Sequence, residues 1–569
     1  MKKTIINIRR TRLMVLIAFL FSTFTIMFAG GVAQAVGVSN PTKILTPAPL
    51  PQQPVGTPFV DPVFGTTLRR VSNASDSGNY ETQVYSQLQA FSTDNTYLLL
   101  DGSNGFVVRR VSDLSMVAGI DTSGWNAPRW HPAMPHTIVH FDSNADTVVR
   151  VQFTDVDNGN TTTAFTFPPK YEYILVNQSW DELSDDGRWL AGMVTRNDGE
   201  GVIFALDIQN GTLGAELPVS DIYAGPCEPD PEWGNVEPDW VGVSPLGRYL
   251  VVQWQRDGIT RCSGLETLDL QTGVFVGRVY DGHQHGDLGV DSDGVTEFFM
   301  TFEIAGPYPD NGRPAIGMRK LPGTSTVSQP TFLQSLDWAD DGHISCRGPN
   351  GVGLVTYGGW EGDGQTPFER ELFLQYTNGS VLRLVHHRSS SCGYWVQPRA
   401  SISRDGRYVV FASDWGQETG TSSCDKWDTW LGAGDPYIID LGDIVSNNIS
   451  GCISLGGSPL ENAKVILKQR RNIIQTTTTD ANGCCTFKNV FSNKRLKVII
   501  KGSKVDSPGS GVFGCIELNG SPLVNKGVIL RQKGEPRQTT TTDADGCYEF
   551  GNVAPGKRFR VIIRGLKME

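Results

Sequence analysis

His285, His343, His387 and Gln397 are the side chains of this 569-residue chain whose types suit a divalent metal. Imidazole nitrogen and amide oxygen match Mn, Fe or Zn, and an open coordination position would hold a substrate carboxylate and stabilise the enolate left by proton loss. Arg399 and Arg129 are the candidates for base or for partner of a sugar acid. Asp287 and Trp395 are the candidate ligand contacts, the indole face suiting a sugar ring. Each has a plainer reading. A histidine on an inner strand is commonly hydrogen-bonded packing, and Trp395, Trp415, Trp427 and Trp430 belong to 13 tryptophans that β cores can absorb. No Ser-His-Asp motif, phosphate loop or nucleic-acid signature stands out.

A repeat is what would gather these residues. Short strand, Asp-Gly type turn and second apolar strand recur at Ser184–Leu190, Ser244–Leu250 and Ser403–Val409, with weaker copies near Asn95, His136, Gly294 and Gly351. Turns needing positive φ favour Gly or Asn, so the seven tips are Asn95, His136, Gly187, Gly247, Gly294, Gly351 and Gly406, spaced about 40 to 60 residues apart. Seven such units fit four-stranded propeller blades over 58–442. The segment Pro58–Val71 precedes the first tip by a full strand and is expected to pair with the last blade, closing the ring. About nine residues before each tip the innermost strand begins. That register places Gln87, Arg129, Gln178 with Trp180, Asp239 with Trp240, His285 with Asp287, His343, and Gln397 with Arg399 around a central tunnel. His386 and His387 end the strand feeding the last blade, on the same rim.

The ends point to export. Lys2, Lys3, Arg9, Arg10 and Arg12 precede an apolar run, Leu13–Phe28, and a small-residue site ending Ala33-Gln34-Ala35, so 1–35 reads as a signal peptide. Residues 36–57, with Pro41, Pro47, Pro49, Pro51 and Pro54, form a linker, and no later run is apolar enough to span a bilayer. The expected location is extracellular or periplasmic, with a polysaccharide or cell-surface protein as partner, no nucleic acid, and no integral membrane segment after cleavage. An oxidising compartment turns the 10 cysteines into a disulfide question.

The tail repeats at an offset of 63: Gly451-Cys452-Ile453 matches Gly514-Cys515-Ile516, and Thr476–Ala481 matches Thr539–Ala544. Alternating strands and Asp-Ala-x-Gly turns predict two small Ig-like β-sandwich repeats, 450–502 and 513–569, with linkers 443–449 and 503–512. The repeat pairs Cys452 with Cys484 and Cys515 with Cys547, and leaves Cys485 over. Cys227 with Cys262 and Cys392 with Cys424 each fall within one repeat interval. Ser450–Glu569 carries 19 Lys/Arg against 9 Asp/Glu, whereas the rest of the mature chain carries 25 against 51. An acidic body thus has a basic tail; the plainer reading is solubility with ordinary surface variation, and the functional one is that the tail modules sit against an anionic surface or polysaccharide.

Thr479–Gly483 through Phe487 and Val490, and Thr542–Phe550 with Val553, Pro555 and Gly556, resemble carboxypeptidase regulatory-like and Cna-B/prealbumin-type modules. That resemblance implies spacer or adhesive roles. The body, through Asp61–Thr66, Gly342–Arg347, His386–Ser390 and Tyr394–Ala400, resembles TolB-like propellers, most closely the group that includes oligogalacturonate lyases. The resemblance implies a divalent metal held by several His and a Gln at the propeller mouth, and a base that abstracts the proton beside a uronate carboxylate. That group clusters a Gln and two His in one segment, whereas here Gln397 is followed by Pro398-Arg399-Ala400. Two readings follow: a secreted propeller that binds a glycan or protein at its mouth, with the tail as spacer or tether, and a metal-dependent uronate lyase.

Overall fold

The structure is a computed structural model that describes residues 37–566 except 79, 144–147, 305–312, 338–341, 358–365, 391–393, 417–433, 443–448, 470–471, 488–489, 491–494, 506, 508 and 519–520. The signal-peptide segment and the pair Cys392 and Cys424 lie outside the described residues.

Seven antiparallel sheets follow one another from Pro58 to Asp440. Their innermost strands are Glu81–Gln83, Asn126–Trp130, Tyr171–Leu175, Pro238–Val243, Gly286–Val290, His343–Ser345 and Ser401–Ile402. Central strands such as Glu297–Glu303 are buried throughout, which is why apolar residues stand at successive positions, Phe298, Phe299 and Met300, instead of alternating with polar ones. Every junction between neighbouring blades has an apolar cluster: Val151 with Phe204 for blades 2 and 3, Ile203 with Val252 for 3 and 4, and Leu265 with Phe299 for 4 and 5. Met300 with Val355 and Leu374 with Val409 continue the series, and a single cluster joins Leu99 of blade 1 to Ile138 of blade 2 and Val410 of blade 7. The series closes on itself, so the body is a seven-bladed propeller.

Closure is made by the N-terminal segment. Thr67–Arg70 pairs with Asp435–Asp440 of blade 7 on one side and with Pro58–Val60 on the other. All seven tip residues, Asn95, His136, Gly187, Gly247, Gly294, Gly351 and Gly406, have φ between 61° and 79°. At Gly187 a Cβ would lie 2.2 Å from the His131 ring, so glycine is needed there for space as well as for conformation.

In the tail, each of two sheets runs through both copies. Ile449–Leu455 pairs with Val512–Leu518 in one, and Leu496–Lys504 pairs with Arg558–Leu566 in the other. One core, including Val465, Val498, Val528 and Val561, fills the space between them. Copies that are marginal alone thereby gain a shared interior. Disulfides join Cys227 to Cys262, Cys452 to Cys484 and Cys515 to Cys547, and Cys346 and Cys485 are free thiols.

Several propeller histidines are held neutral. Burial pushes His131 and His140 down to about 4 and His386 to about 3. A histidine with its pKa depressed in the fold contributes stability above its unfolded value near 6.5, and that contribution is lost as pH falls through the folded value. His140, stacked on Trp125 and bonded to Thr154 Oγ1 at 3.0 Å, is the cleanest case. His140→Gln is expected to gain roughly 2 to 3 kcal/mol relative to the parent chain between pH 7.5 and 4.5. Thermal melts of both proteins across that range check it, and a pH-independent gap between them contradicts it.

Candidate functional site

Residues at the ends of the inner strands of blades 1, 3, 4, 5 and 7 surround a cavity of about 630 Å³. The register reading brings six residues to its lining: Gln87, Trp180, Asp239, Trp240, His285 and Arg399. Others come from places the register does not address. Asp101 and Gln253 stand on second strands, and Gln83, Tyr85, His283 and Trp395 on strand ends and loops.

One wall is aromatic and cationic. Trp395 stacks on Tyr80 with centroids 5.2 Å apart, and the Arg399 guanidinium lies 4.8 Å from the Trp395 ring centre. Arg399 has φ of +37°, an uncommon conformation for a long side chain, which fixes its approach to the ring. Burial raises the Asp101 carboxyl to about 6, although Arg399 pulls the other way. A carboxyl of that kind exchanges its proton near neutral pH. Gln83 is fully buried on the same wall, and neither end of its amide has a hydrogen-bond partner among the described residues.

Other lining residues are held by hydrogen bonds. Gln87 Nε2 donates to Gly286 O at 3.0 Å, Trp240 Nε1 to Gln253 Oε1 at 3.0 Å, and Gln253 Nε2 to Gln284 O at 3.1 Å. His283 Nε2 lies 3.2 Å from Asp239 Oδ2, a contact that raises the imidazole pKa.

The sequence-designated residues separate into three groups. His285 lines the cavity, and its ring stacks on that of His343 at 4.4 Å. His343 is buried beneath it, with Nε2 lacking a partner among the described residues, and burial, His285 and Arg399 hold it neutral. Arg399 and Trp395 share the cavity with His285. Arg129, by contrast, is buried among backbone carbonyls, donating to Ala127, Asp181 and Ser179. Asp287 sits deeper in the tunnel, accepting from the backbone N–H groups of Leu288 and Cys346 at 2.7 and 2.6 Å. His387 is buried and accepts the Ser389 N–H on Nδ1, and neither it nor Gln397 lines the cavity. His285 Nδ1 is itself engaged by Gly342 O at 2.9 Å. His285, His343, His387 and Gln397 therefore do not form one donor set, and among the described residues no group of three His, Cys, Asp or Glu side chains is placed to hold a metal ion.

No family model matches the chain, and no curated protein matches it in sequence. Solved structures similar to it include TolB from Acinetobacter baumannii (12% identity, 54% of this chain and 64% of that chain, TM-score 0.28). The putative TolB from Agrobacterium tumefaciens is similar at 15% identity over 44% of this chain and 82% of that one, with a TM-score of 0.28. The β-propeller domain of the Trilobed protease from Pyrococcus furiosus is similar at 11% identity over 61% and 91%, with a TM-score of 0.30. The matched region spans slightly under two thirds of the Acinetobacter protein. At these scores the likenesses carry no argument about function; the architecture rests on the seven sheets and their closure. No helix among the described residues is long and apolar enough to cross a membrane.

Proposed function

We propose that the mouth cavity binds a glycan, in an exported protein whose tail sandwich acts as tether. The observation that carries this reading is the combination of Trp395, Trp180 and Trp240 with Asp101, Gln87 and Arg399 around one space of about 630 Å³. Indole faces receive the apolar faces of sugar rings, and carboxylate, amide and guanidinium groups address their hydroxyls or acid groups. Export is supported by the basic and apolar N-terminal pattern and by three disulfides among the described residues.

The test is titration of the full chain with neutral and uronate-containing oligosaccharides, read by calorimetry. Trp395→Ala is expected to weaken binding about tenfold or more, because stacked aromatic anchors carry a large share of binding energy. Equal affinity of parent and variant for every sugar bound, or no sugar bound at all, overturns the glycan reading.

Asp101 favours a second reading, a uronate lyase. With its pKa near 6 and Arg399 nearby, its carboxylate could accept the proton beside a uronate carboxylate held by the guanidinium. The metal ligands that such an enzyme would use are not supplied by the four residues named from the sequence, so no step is assigned to a metal. Formation of unsaturated uronate products by the parent chain, and its loss in Asp101→Asn with binding retained, would select this reading over simple binding.

A further inference from the structure

We infer that the outer face of one tail sheet is a docking surface for an extended acidic polysaccharide. The sheet consists, in order, of Asn472–Thr478, Lys464–Gln469, Leu496–Lys504, Arg558–Leu566, Gly527–Gln532 and Gln538–Thr541. Its inward residues, Val465, Leu467, Val498, Ile500, Val561 and Ile563 among them, belong to the shared core. The alternate residues therefore face outward.

Register then lays cations out in rows. Lys464 stands opposite Lys501, Lys501 opposite Arg560, and Arg560 opposite Arg531. Four residues along the strands, Lys468 stands opposite Lys497 and Lys497 opposite Arg564. Between the rows runs a line of isoleucines, Ile466, Ile499, Ile562 and Ile529, paired in the same registers. None of the six strands contains Asp or Glu. The opposite sheet has the reverse polarity, with Glu517 and Glu549 and no Lys or Arg in its strands.

Like charges directly opposite one another on a sheet are destabilising. Two parallel rows of them on strands that carry no Asp or Glu are therefore a cost that stability alone does not explain. The two copies were each built with this pattern, and their pairing joins the rows into one surface. Within a row the cations repeat at the strand spacing of roughly 4.8 Å, comparable to the length of one sugar residue, so a chain bearing one acid group per residue would meet one cation per strand.

Three features separate this occupant from other polyanions. Ile466, Ile529 and Ile562 are only 5 to 7% exposed, so the isoleucine row offers little to a lipid bilayer. The sheet's only aromatic residue, Phe559, is inward-facing in the core, so no base could stack. The acidic propeller of a second copy would present its charges without this repeat. The inference rests on the tether reading of the tail and is independent of the mouth cavity.

The experiment is binding of the full chain to polygalacturonate, with dextran, a single-stranded DNA oligonucleotide and vesicles of phosphatidylglycerol in phosphatidylcholine as the other probes. Polygalacturonate binding that weakens at least tenfold between 50 and 300 mM salt is expected, with no binding to dextran. Lys497→Gln, Lys501→Gln, Arg560→Gln and Arg564→Gln combined are expected to reduce it at least tenfold, while Trp395→Ala leaves the salt-dependent component unchanged. A circular-dichroism melt verifies that the combined variant keeps its fold, and Lys501→Gln with Arg560→Gln serves if it does not. Unchanged polygalacturonate binding in the charge variants, tighter binding to DNA or vesicles, or salt-sensitive self-association in place of polysaccharide binding overturns the inference. Loss on Trp395→Ala alone would instead place the polymer in the mouth.

Discussion

Leu68→Pro is expected to unlatch the propeller. Leu68 is fully buried, stands opposite Ile439 of blade 7 and opposite Phe59 of the outermost strand, and packs with Val409 and Ile439. Proline removes a ladder donor from the interior of a strand paired on both sides, leaving a buried acceptor unsatisfied at about 1 to 3 kcal/mol, and the lost side-chain packing adds about 2 kcal/mol or more. The blades are joined in series, so a failure at the closing strand releases both ends of the ring. The expected result is a propeller that melts well below the parent chain and is cleaved by protease between Val71 and Glu81 under conditions in which the parent resists. Val60→Thr, at a position 51% exposed on the outermost strand, is the control that should leave both readouts near the parent's. A Leu68→Pro chain that melts with the parent would show that the latch does not hold the ring.

The latch was legible because a strand without a blade stood before the first tip. The tips were legible for a related reason: a two-residue hairpin turn leaves few chemical choices, and even His136 and Asn95, which lack glycine's freedom, adopt positive φ where the spacing requires a tip. Counting back from each tip reached Gln87, Trp180, Asp239, Trp240, His285 and Arg399 in the cavity lining, although in blades 1 and 3 the counted positions follow the inner strands Glu81–Gln83 and Tyr171–Leu175 instead of opening them. Counting could not tell how deep a residue sits. Asp287 lies two residues beyond His285, about 7 Å further along the strand, and that displacement takes it from the mouth into the tunnel interior. Nor could counting reach Asp101 or Gln253, which come from the second strands of blades 1 and 4. His387 does not line the cavity with His285; it is buried, and its Nδ1 accepts the Ser389 N–H.

The tail shows the same division. An offset of 63 announces two copies, and the cysteine pairs follow from it. That Cys452 stands opposite Cys515 across the junction of the copies is a property of which strand edges remain open after each copy folds, and a pattern within one copy does not encode that pairing. The cation rows exist only once the copies are joined, so the most polar surface of the tail is invisible to a residue-by-residue reading.

The tunnel interior supports the second large prediction, that Arg347→Met destabilises the propeller by about 3 to 5 kcal/mol at pH 7.5. Arg347 follows the inner strand of blade 6, is almost fully buried, and donates through Nη2 to Leu183 O at 3.2 Å and Val243 O at 3.0 Å. Its Nη1 lies 3.6 Å from Asp185, and its carbonyl accepts from Gln89 Nε2, which also donates to Ile402 O, each at 2.7 Å. One side chain thus ties blades 3, 4 and 6, and its backbone joins them to blades 1 and 7. Burial raises Asp181 to about 6 and Asp287 well above the usual carboxylate range, and Arg347 is the principal group opposing both shifts. Without it both carboxyls move higher still. A carboxyl with its pKa raised in the fold contributes stability below its unfolded value near 4, and that contribution is lost as pH rises through the folded value. The damage in Arg347→Met should therefore be largest above pH 7 and shrink towards pH 5, where the carboxyls can remain protonated. Melting curves of parent and variant at both pH values decide it. Adding Asp287→Asn to Arg347→Met should recover part of the loss at pH 7.5, because the uncompensated charge is then removed. A loss that is the same at both pH values, and is not relieved by Asp287→Asn, would mean that Arg347 holds the blades through its carbonyl contacts alone.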